Sequence, residues 1–312
     1  MTINFSATAF IFPGQGSQAT GMGRDLAAAY PIAKQTFDEA DALLGFSLSK
    51  LMWDGPADEL NDTVNTQPAL YVHSLAAWRV LSLRFTDLSP AALAGHSLGE
   101  LSALAASGVL TFADGLKLVH ARGQLMKRAG ELAPGSMAAI LNLSIPALEK
   151  VCAEAGKEGE SVQVANDNCP GQVVISGAKP AVERAMELAK AAGAKRALPL
   201  AVSIAAHSTL MDSIQAEWNV AVDAVAMKDA SVPIYGNVAA RALTSAADLR
   251  ADIRAQMQSR VRWTESVGEM IRSGICHFVE VGSGSVLGGL VKRIDSSVTS
   301  QALGNPLDFE VL

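Results

Sequence analysis

The sequence predicts an α/β protein with a mainly parallel sheet, interrupted by a smaller α+β unit. Three observations carry this. Strand-length apolar runs alternate with helix-length periodic segments along most of the chain, the pattern of parallel strands joined by crossover helices. A glycine-flanked turn, Gly95-His96-Ser97-Leu98-Gly99, joins the small apolar run Ala91-Ala92-Leu93-Ala94 to a helical segment. Between about residues 129 and 202 the order changes to β-α-β-β-α-β, the ferredoxin-like pattern.

Taken in order, Ala7-Thr8-Ala9-Phe10-Ile11-Phe12 reads as a buried strand ended by Pro13, followed by the loop Gly14-Gln15-Gly16-Ser17-Gln18. Helices are expected over 26–44 and over 67–83, the second carrying Leu70, Leu75, Trp78 and Val80 as apolar residues. The strand–Ser97–helix unit comes third. A helix over 111–128 has Asp114 near its start and Lys127-Arg128 near its end, as the helix dipole favours. Strands at 135–141, 161–165, 172–176 and 195–200 alternate with helices at 146–155 and 179–192. These form the expected ferredoxin-like subdomain, residues 129–202. Residues 1–128 and 203–312 make up the larger α/β domain. Its second part holds a helix from His207 to about 222, a strand at 232–235 and helices at 246–259 and 263–273. A strand at 277–281 then leads through Gly282-Ser283-Gly284 into a helix at 286–294. The tail after Asp295 is polar and turn-rich, and is expected to be partly mobile.

The 312 residues, 49% apolar and 18% charged, suit one large domain plus a smaller one. A net charge of −6 gives no general electrostatic case for nucleic acid. Cys152, Cys169 and Cys276 are far apart and form no C-x-x-C pair, so neither a zinc site nor a disulfide framework is suggested. A reducing cytoplasm is the natural compartment. Residues 1–9 lack basic groups and a long apolar core, so no secretory signal is expected, and no apolar run is long enough to span a membrane.

The G-x-S-x-G pattern points to a nucleophile. A strand ends, the chain turns sharply, and the serine sits on the strained turn with glycines on either side. The pattern is also compatible with an ordinary N-capping serine on a Gly-flanked turn. A serine hydroxyl needs a base to take its proton. Of the five histidines, His73 and His120 lie within expected helices and His277 begins a strand, so each reads as structural. His96 precedes Ser97 on the turn and reads as shaping the elbow or lining the pocket. His207, at the junction from the subdomain back to a helix, stands where a base should. No carboxylate stands out to orient it; Asp212 has helical spacing but should face solvent. A backbone carbonyl can do that work.

An oxyanion needs at least two donors. Leu98 N–H is one by position. Gln15, between two glycines at the end of the first strand, is the other candidate. The same loop lacks the third Rossmann glycine and a Walker Gly-Lys, so a nucleotide cradle is disfavoured. Arg122 lies amid the apolar stripe Leu118, Val119, Leu125 and Met126, with no carboxylate three or four residues away. A buried guanidinium is costly unless paired. Either it snorkels or bonds carbonyls, or it awaits an anionic ligand. In the second case its planar fork suits an acyl group ending in a carboxylate.

These residues together resemble the malonyl-CoA:acyl carrier protein transacylase family of bacterial fatty acid synthesis. The matching stretches run in order along nearly the whole chain. They are Phe12-Pro13-Gly14-Gln15-Gly16-Ser17-Gln18, Gln67-Pro68-Ala69, Gly95 to Glu100, Arg122-Gly123 with Met126, and Ala165-Asn166 with Asn168. Pro170 to Gly177, His207, Gln256, Val261 to Val267 and Glu280-Val281-Gly282 complete the set. The resemblance implies an α/β-hydrolase-like core and a ping-pong transfer of malonyl from CoA to the phosphopantetheine thiol of acyl carrier protein, through a malonyl-Ser97. It implies that the Gln256 carbonyl orients His207, that Gln15 and Leu98 hold the oxyanion, and that Arg122 clamps the malonyl carboxylate. Met126, Asn166 and His96 would join Arg122 and Gln15 around the substrate. It implies a cytoplasmic monomer with no resident cofactor or metal, acting on malonyl-CoA and acyl carrier protein and on neither nucleic acid nor membrane.

Two departures stand out: Ala206 where the family often has serine or phenylalanine, and Ser283 where it often has proline. Ala206 puts substrate breadth in question. Lys127-Arg128 and Lys195-Arg196 are candidate carrier-protein contacts, and solvated element ends are the alternative reading. The competing functions are a freestanding polyketide-synthase acyltransferase, an acyl-thioester hydrolase, and a non-enzymatic carrier-protein docking module.

Overall fold

The computed structural model describes residues 4–202 and 204–311. Residues 1–3, and residue 203 at which the second part of the larger domain was expected to begin, lie outside them. Six strands form one sheet: β1 Thr8–Phe12, β2 Ala92–Gly95, β7 Ile234–Tyr235, β8 Ala242–Leu243, β9 His277–Val281 and β10 Thr299–Leu303. Their order is β10-β9-β1-β2-β7-β8, parallel except for the β7–β8 pair. Four strands form a separate antiparallel sheet: β3 Gly135–Leu141, β4 Val162–Cys169, β5 Gln172–Ala178 and β6 Arg196–Pro199, in the order β4-β5-β3-β6. With helices Ile145–Ala155 and Lys179–Ala191, this is the β-α-β-β-α-β sequence of elements.

β1 is buried along its whole length because both of its faces are covered. Phe10 and Phe12 point into a core with helices Thr63–Arg84 and Phe112–Leu132. Ala9 and Ile11, one residue out of phase, point into a second core with Trp263, Val267 and Val291. The smaller sheet has its own core around Ile140, Leu148 and Ile175. Its other face presents Met137, Ala165 and Val174 toward Ala206. β4 also meets the larger unit, where Val261 N–H donates to Ala165 O and Asp167 N–H to Val261 O.

The sheet fixes where chemistry can occur. Phe12 pairs with Gly95 across β1 and β2, so the Gln15 loop and the Ser97 turn leave the sheet side by side at its carboxyl edge. β1 has neighbours reached by connections running in opposite directions, the switch point at which open α/β sheets form crevices.

Several expectations need correction. The helix expected over 26–44 is two, Arg24–Ala29 and Pro31–Leu44. Tyr30 between them is extended, at φ −126° and ψ 116°, because Pro31 disfavours a helical residue before it. Helix Thr63–Arg84 starts four residues before the expected 67, capped by the Asp62 carboxylate on Val64 N–H (3.1 Å). Short helices Leu48–Asp54 and Ala57–Asn61 were not anticipated. The tail is built into the fold. β10 adds to the sheet edge, and helix Pro306–Glu310, with an Asn305/Asp308 capping box, buries Phe309 completely. Its apolar anchors Val298, Leu303 and Phe309 are too widely spaced to register as a periodic pattern. No helix among the described residues is long and apolar enough to cross a membrane.

Candidate active site

Ser97 occupies the turn between β2 and helix Gly99–Ala106 with φ +51°, a left-handed conformation that serine rarely adopts. The flanking glycines permit it by close approach. A Cβ on Gly95 would lie 1.9 Å from the Gly99 carbonyl carbon, and one on Gly99 would lie 2.0 Å from Phe12 O. Asn237 locks the turn from the other side. Its Oδ1 accepts from Ser97 N–H (2.7 Å) and its Nδ2 donates to Gly95 O (2.7 Å). Asn237 was not anticipated, since nothing in its local sequence marks a residue acting 140 positions away.

Ser97 Oγ lies 2.7 Å from His207 Nε2. His207 Nδ1–H donates to Gln256 O (2.9 Å) and, more weakly, to Ser259 O (3.2 Å). With its proton held at Nδ1, Nε2 carries the lone pair that faces the serine hydroxyl. Burial first, and the Arg122 cation second, push the His207 imidazole down to about 3. Asp212 is exposed and accepts from Gln258 Nε2, so it takes no part. His73 bonds Gly304 O (2.9 Å), His120 meets Gln124, and His277 meets Thr299.

Leu98 N–H has no partner among the described residues, which leaves it free for an oxyanion. Gln15 is exposed on its loop; its main-chain N–H is likewise unpaired there, and its Oε1 accepts from Thr63 Oγ1 (3.0 Å). Ser283 secures this loop, its hydroxyl donating to Ser17 O (2.6 Å). A serine in place of proline thus adds a tie to the segment that carries Gln15.

Arg122, only 1% exposed, is on the buried face of helix Phe112–Leu132. It neither snorkels nor bonds backbone carbonyls. Nη1 donates to Gln67 Oε1 (2.9 Å), and Nη2 to Gln256 Oε1 (2.9 Å) and Ser97 Oγ (3.1 Å). Nε has no partner among the described residues, and no salt bridge reaches the group there. Burial lowers its pKa to about 10, which leaves it charged at neutral pH. Gln67 is a second residue that local sequence reading left without a role. It fixes Arg122 while its own Nε2 donates to Thr63 Oγ1 (3.0 Å) and Met126 Sδ (3.1 Å).

These groups converge on a cavity of about 190 Å³, lined by Gln15, Ser97, Leu98, Arg122, Met126 and His207 on one side. Met137, Val174, Leu200, Val202, Ile204 and Ala206 form an apolar wall opposite. His96 and Asn166 also line it. His96 Nε2 pairs with Asn168 Oδ1 (2.8 Å) and its ring stands edge-on to Trp263, so it shapes the wall. Asn166 is 6% exposed and lies beside Val261. Larger grooves elsewhere, one between Glu149 and Arg260 and one between Gln215 and Arg254, are open and contain none of these groups. A serine hydroxyl facing an imidazole, two N–H groups without partners among the described residues, and a buried guanidinium around a small cavity suit transfer of a short acyl group that carries a negative charge.

Comparison with known proteins agrees. The acyl transferase domain family matches residues 9–302. The malonyl CoA-acyl carrier protein transacylase of Escherichia coli K12 is 47% identical over 298 residues, 96% of each chain. That of Haemophilus influenzae is 45% identical over 304 residues, 97% of each chain. The crystal structure of an acyl carrier protein S-malonyltransferase from Vibrio cholerae superposes with a TM-score of 0.94 at 45% identity, covering 98% of this chain and 99% of that one. A malonyl-transacylase in complex with a type II PKS acyl-carrier protein gives a TM-score of 0.94 at 42% identity, covering 98% of both chains.

Proposed function

The chain belongs to the acyl transferase family, and on that premise we propose that it moves a malonyl group from CoA to acyl carrier protein through a malonyl ester on Ser97. The observation that carries the assignment is Arg122, a buried cation bonded at 3.1 Å to the nucleophile itself. A clamp this close to the reacting hydroxyl fits an acyl group whose carboxylate lies one methylene from its thioester carbonyl.

The steps follow from the contacts. Ser97 Oγ attacks the thioester carbonyl as its proton passes to His207 Nε2. The resulting oxyanion is held by the N–H groups of Leu98 and Gln15. Collapse expels the CoA sulfur, which takes the proton from His207 and leaves malonyl-Ser97. The phosphopantetheine thiol of the carrier protein enters, gives its proton to His207 and attacks the ester. The second collapse releases malonyl-carrier protein and returns the proton to Ser97 Oγ. The Gln256 carbonyl holds the imidazole tautomer throughout, the work an aspartate does in other serine enzymes. Two thioesters, a serine and a histidine balance every bond and proton, so the chemistry calls for no resident cofactor. A cytoplasmic enzyme supplying malonyl groups to fatty acid synthesis is the biological role we assign.

The two candidate carrier-protein patches differ. Lys127 is paired with Asp62 (2.5 Å) and Arg128 with Glu217. Lys195 and Arg196 are exposed and have no side-chain partner among the described residues. They lead into the strand that ends just before Leu200 on the cavity wall. We favour Lys195 and Arg196 as the patch that meets an acidic partner. Ala206, small and on the cavity wall, leaves room for a substituted malonyl group.

Initial-rate kinetics with both substrates varied should give parallel double-reciprocal lines, the signature of a ping-pong route. Intersecting lines, or malonate released faster than malonyl-carrier protein forms, would favour the thioester hydrolase or a ternary mechanism. The depressed imidazole makes a further expectation. The active form of His207 is neutral, and its folded pKa lies below the ordinary value near 6.5. Sulfonylation of Ser97 by the uncharged reagent phenylmethanesulfonyl fluoride should therefore stay constant as pH falls from 8 through 6.5, declining only well below about 6. A half-loss near 6.5 would mean that the imidazole is not held in this environment.

A further inference from the structure

Glu100, three residues after the nucleophile, is a carboxyl with 0% exposure that the steps above do not use. Its Oε2 accepts from Gln256 Nε2 (2.6 Å). The other Gln256 Nε2 hydrogen goes to Ser97 O (2.9 Å), its Oε1 accepts from Arg122 Nη2 (2.9 Å), and its main-chain carbonyl accepts from His207 (2.9 Å). One fully buried glutamine at the end of helix Ala246–Gln256 thus touches the nucleophile's backbone, the base and the cation. An unanchored amide in that position could flip, turning an N–H toward the guanidinium. Glu100, at the shorter of the two contacts, and the Ser97 carbonyl forbid the flip, because both oxygens must face Nε2.

The charge of Glu100 matters as much as its place. Its carboxyl lies against the Asp252 carboxyl, and burial together with that neighbour holds it well above the usual carboxylate range. Asp252 is held in place by the main-chain N–H groups of Val238 (3.1 Å) and Ala239 (2.7 Å), which donate to its carboxylate oxygens. Glu100 Oε1 has no donor among the described residues, as suits the oxygen that carries the shared proton. The groups facing Glu100 are Asp252, Gln256, the Asn237 main-chain N–H and Arg122, and the Arg262 cation faces Asp252.

We propose that Glu100 is a positioning residue whose uncharged carboxyl fixes the Gln256 amide and, through it, the Arg122 guanidinium. Arg122 is bonded only to neutral partners and no carboxylate contacts it among the described residues, so the carboxylate of the acyl group becomes its contact counter-ion. Selectivity for a charged acyl group then depends on a proton buried beneath the nucleophile as well as on Arg122. This rests on the malonyl-transfer reading and adds a determinant of its specificity.

The test compares wild type, Glu100→Ala and Glu100→Gln for kcat/KM with malonyl-CoA and with acetyl-CoA, alongside thermal melting. Glu100→Ala should lower the malonyl-to-acetyl ratio about tenfold or more. Glu100→Gln accepts from Gln256 and donates to Asp252 in the same positions, and should restore the ratio to within about threefold of wild type. A merely structural role would lower melting temperature and leave the ratio unchanged, and that result overturns the proposal. So does a Gln variant as unselective as the Ala variant. If Glu100→Ala does not fold, infrared difference spectra between wild type and Glu100→Gln at pH 7 decide. A protonated-carboxyl C=O band lost in the variant supports the proposal, and a carboxylate band lost in its place overturns it. Failure of wild type to form a malonyl enzyme would instead count against the malonyl-transfer reading itself.

Discussion

Ser97→Ala is expected to abolish the acyl-enzyme and lower malonyl transfer by about 100,000-fold or more, the scale seen when a serine nucleophile is deleted. The loss should fall on kcat, because the side chain removed is the one that forms the bond. The fold should survive. Alanine meets the same φ of +51° as serine, and the Asn237 clamp acts on main-chain atoms that the substitution keeps. Arg122 retains its bonds to Gln67 and Gln256, so the cavity keeps its cation. Binding of malonyl-CoA by calorimetry should therefore persist while transfer, followed by carrier-protein mass, disappears. Transfer within about tenfold of wild type would mean that another group carries the acyl chain.

Arg122→Ala should separate malonyl from acetyl. Removing one partner of a buried ion pair costs about 3–5 kcal/mol, or roughly 100- to 4,000-fold in malonyl kcat/KM. Acetyl-CoA has no carboxylate to lose, so its transfer should fall far less. A second effect works in the same direction. Arg122 depresses the basicity of His207, and a malonyl carboxylate docked on Arg122 offsets that cation. Malonyl thus strengthens the base that serves it, which acetyl cannot do, and in Arg122→Ala the base is relieved for both substrates. The variant should also be less stable, since the Oε1 atoms of Gln67 and Gln256 each lose a buried donor at about 1–3 kcal/mol apiece. Equal losses for malonyl and acetyl transfer would contradict the clamp.

Ser97 was legible as the candidate nucleophile because the constraint on its turn shows in the local sequence. Gly95 is forced by close approach to Gly99 within the turn itself, and Gly99 by close approach to Phe12 on the adjoining strand, so both glycines bracket the serine in sequence. Arg122 was legible because a cation in an apolar stripe violates the helical pattern around it. What such reading could not supply was partnership across the fold. It left open whether Arg122 bonded carbonyls or awaited an anion; the structure supplies amide oxygens from residues 55 and 134 positions away. Asn237 and Glu100 likewise act only through tertiary contact. The fold shows the same division. Strand β9 and helix Val286–Ile294 have the expected bounds, since their periodicity is unbroken. Break points at Tyr30–Pro31 and the ordered tail depended on one proline and on anchors that find their partners elsewhere in the chain.

On the proposed route Ser97 relays a malonyl group between two thiols. Wild-type enzyme should be mixed with malonyl-CoA, freed of CoA, and chased with phosphopantetheinylated acyl carrier protein, with the intact mass of both proteins followed in time. The expected result is one malonyl adduct, mapped to the Ser97 peptide, that leaves the enzyme as the carrier protein gains the same mass. An adduct on another residue, or one that decays to free malonate while the carrier protein stays unmodified, would contradict it.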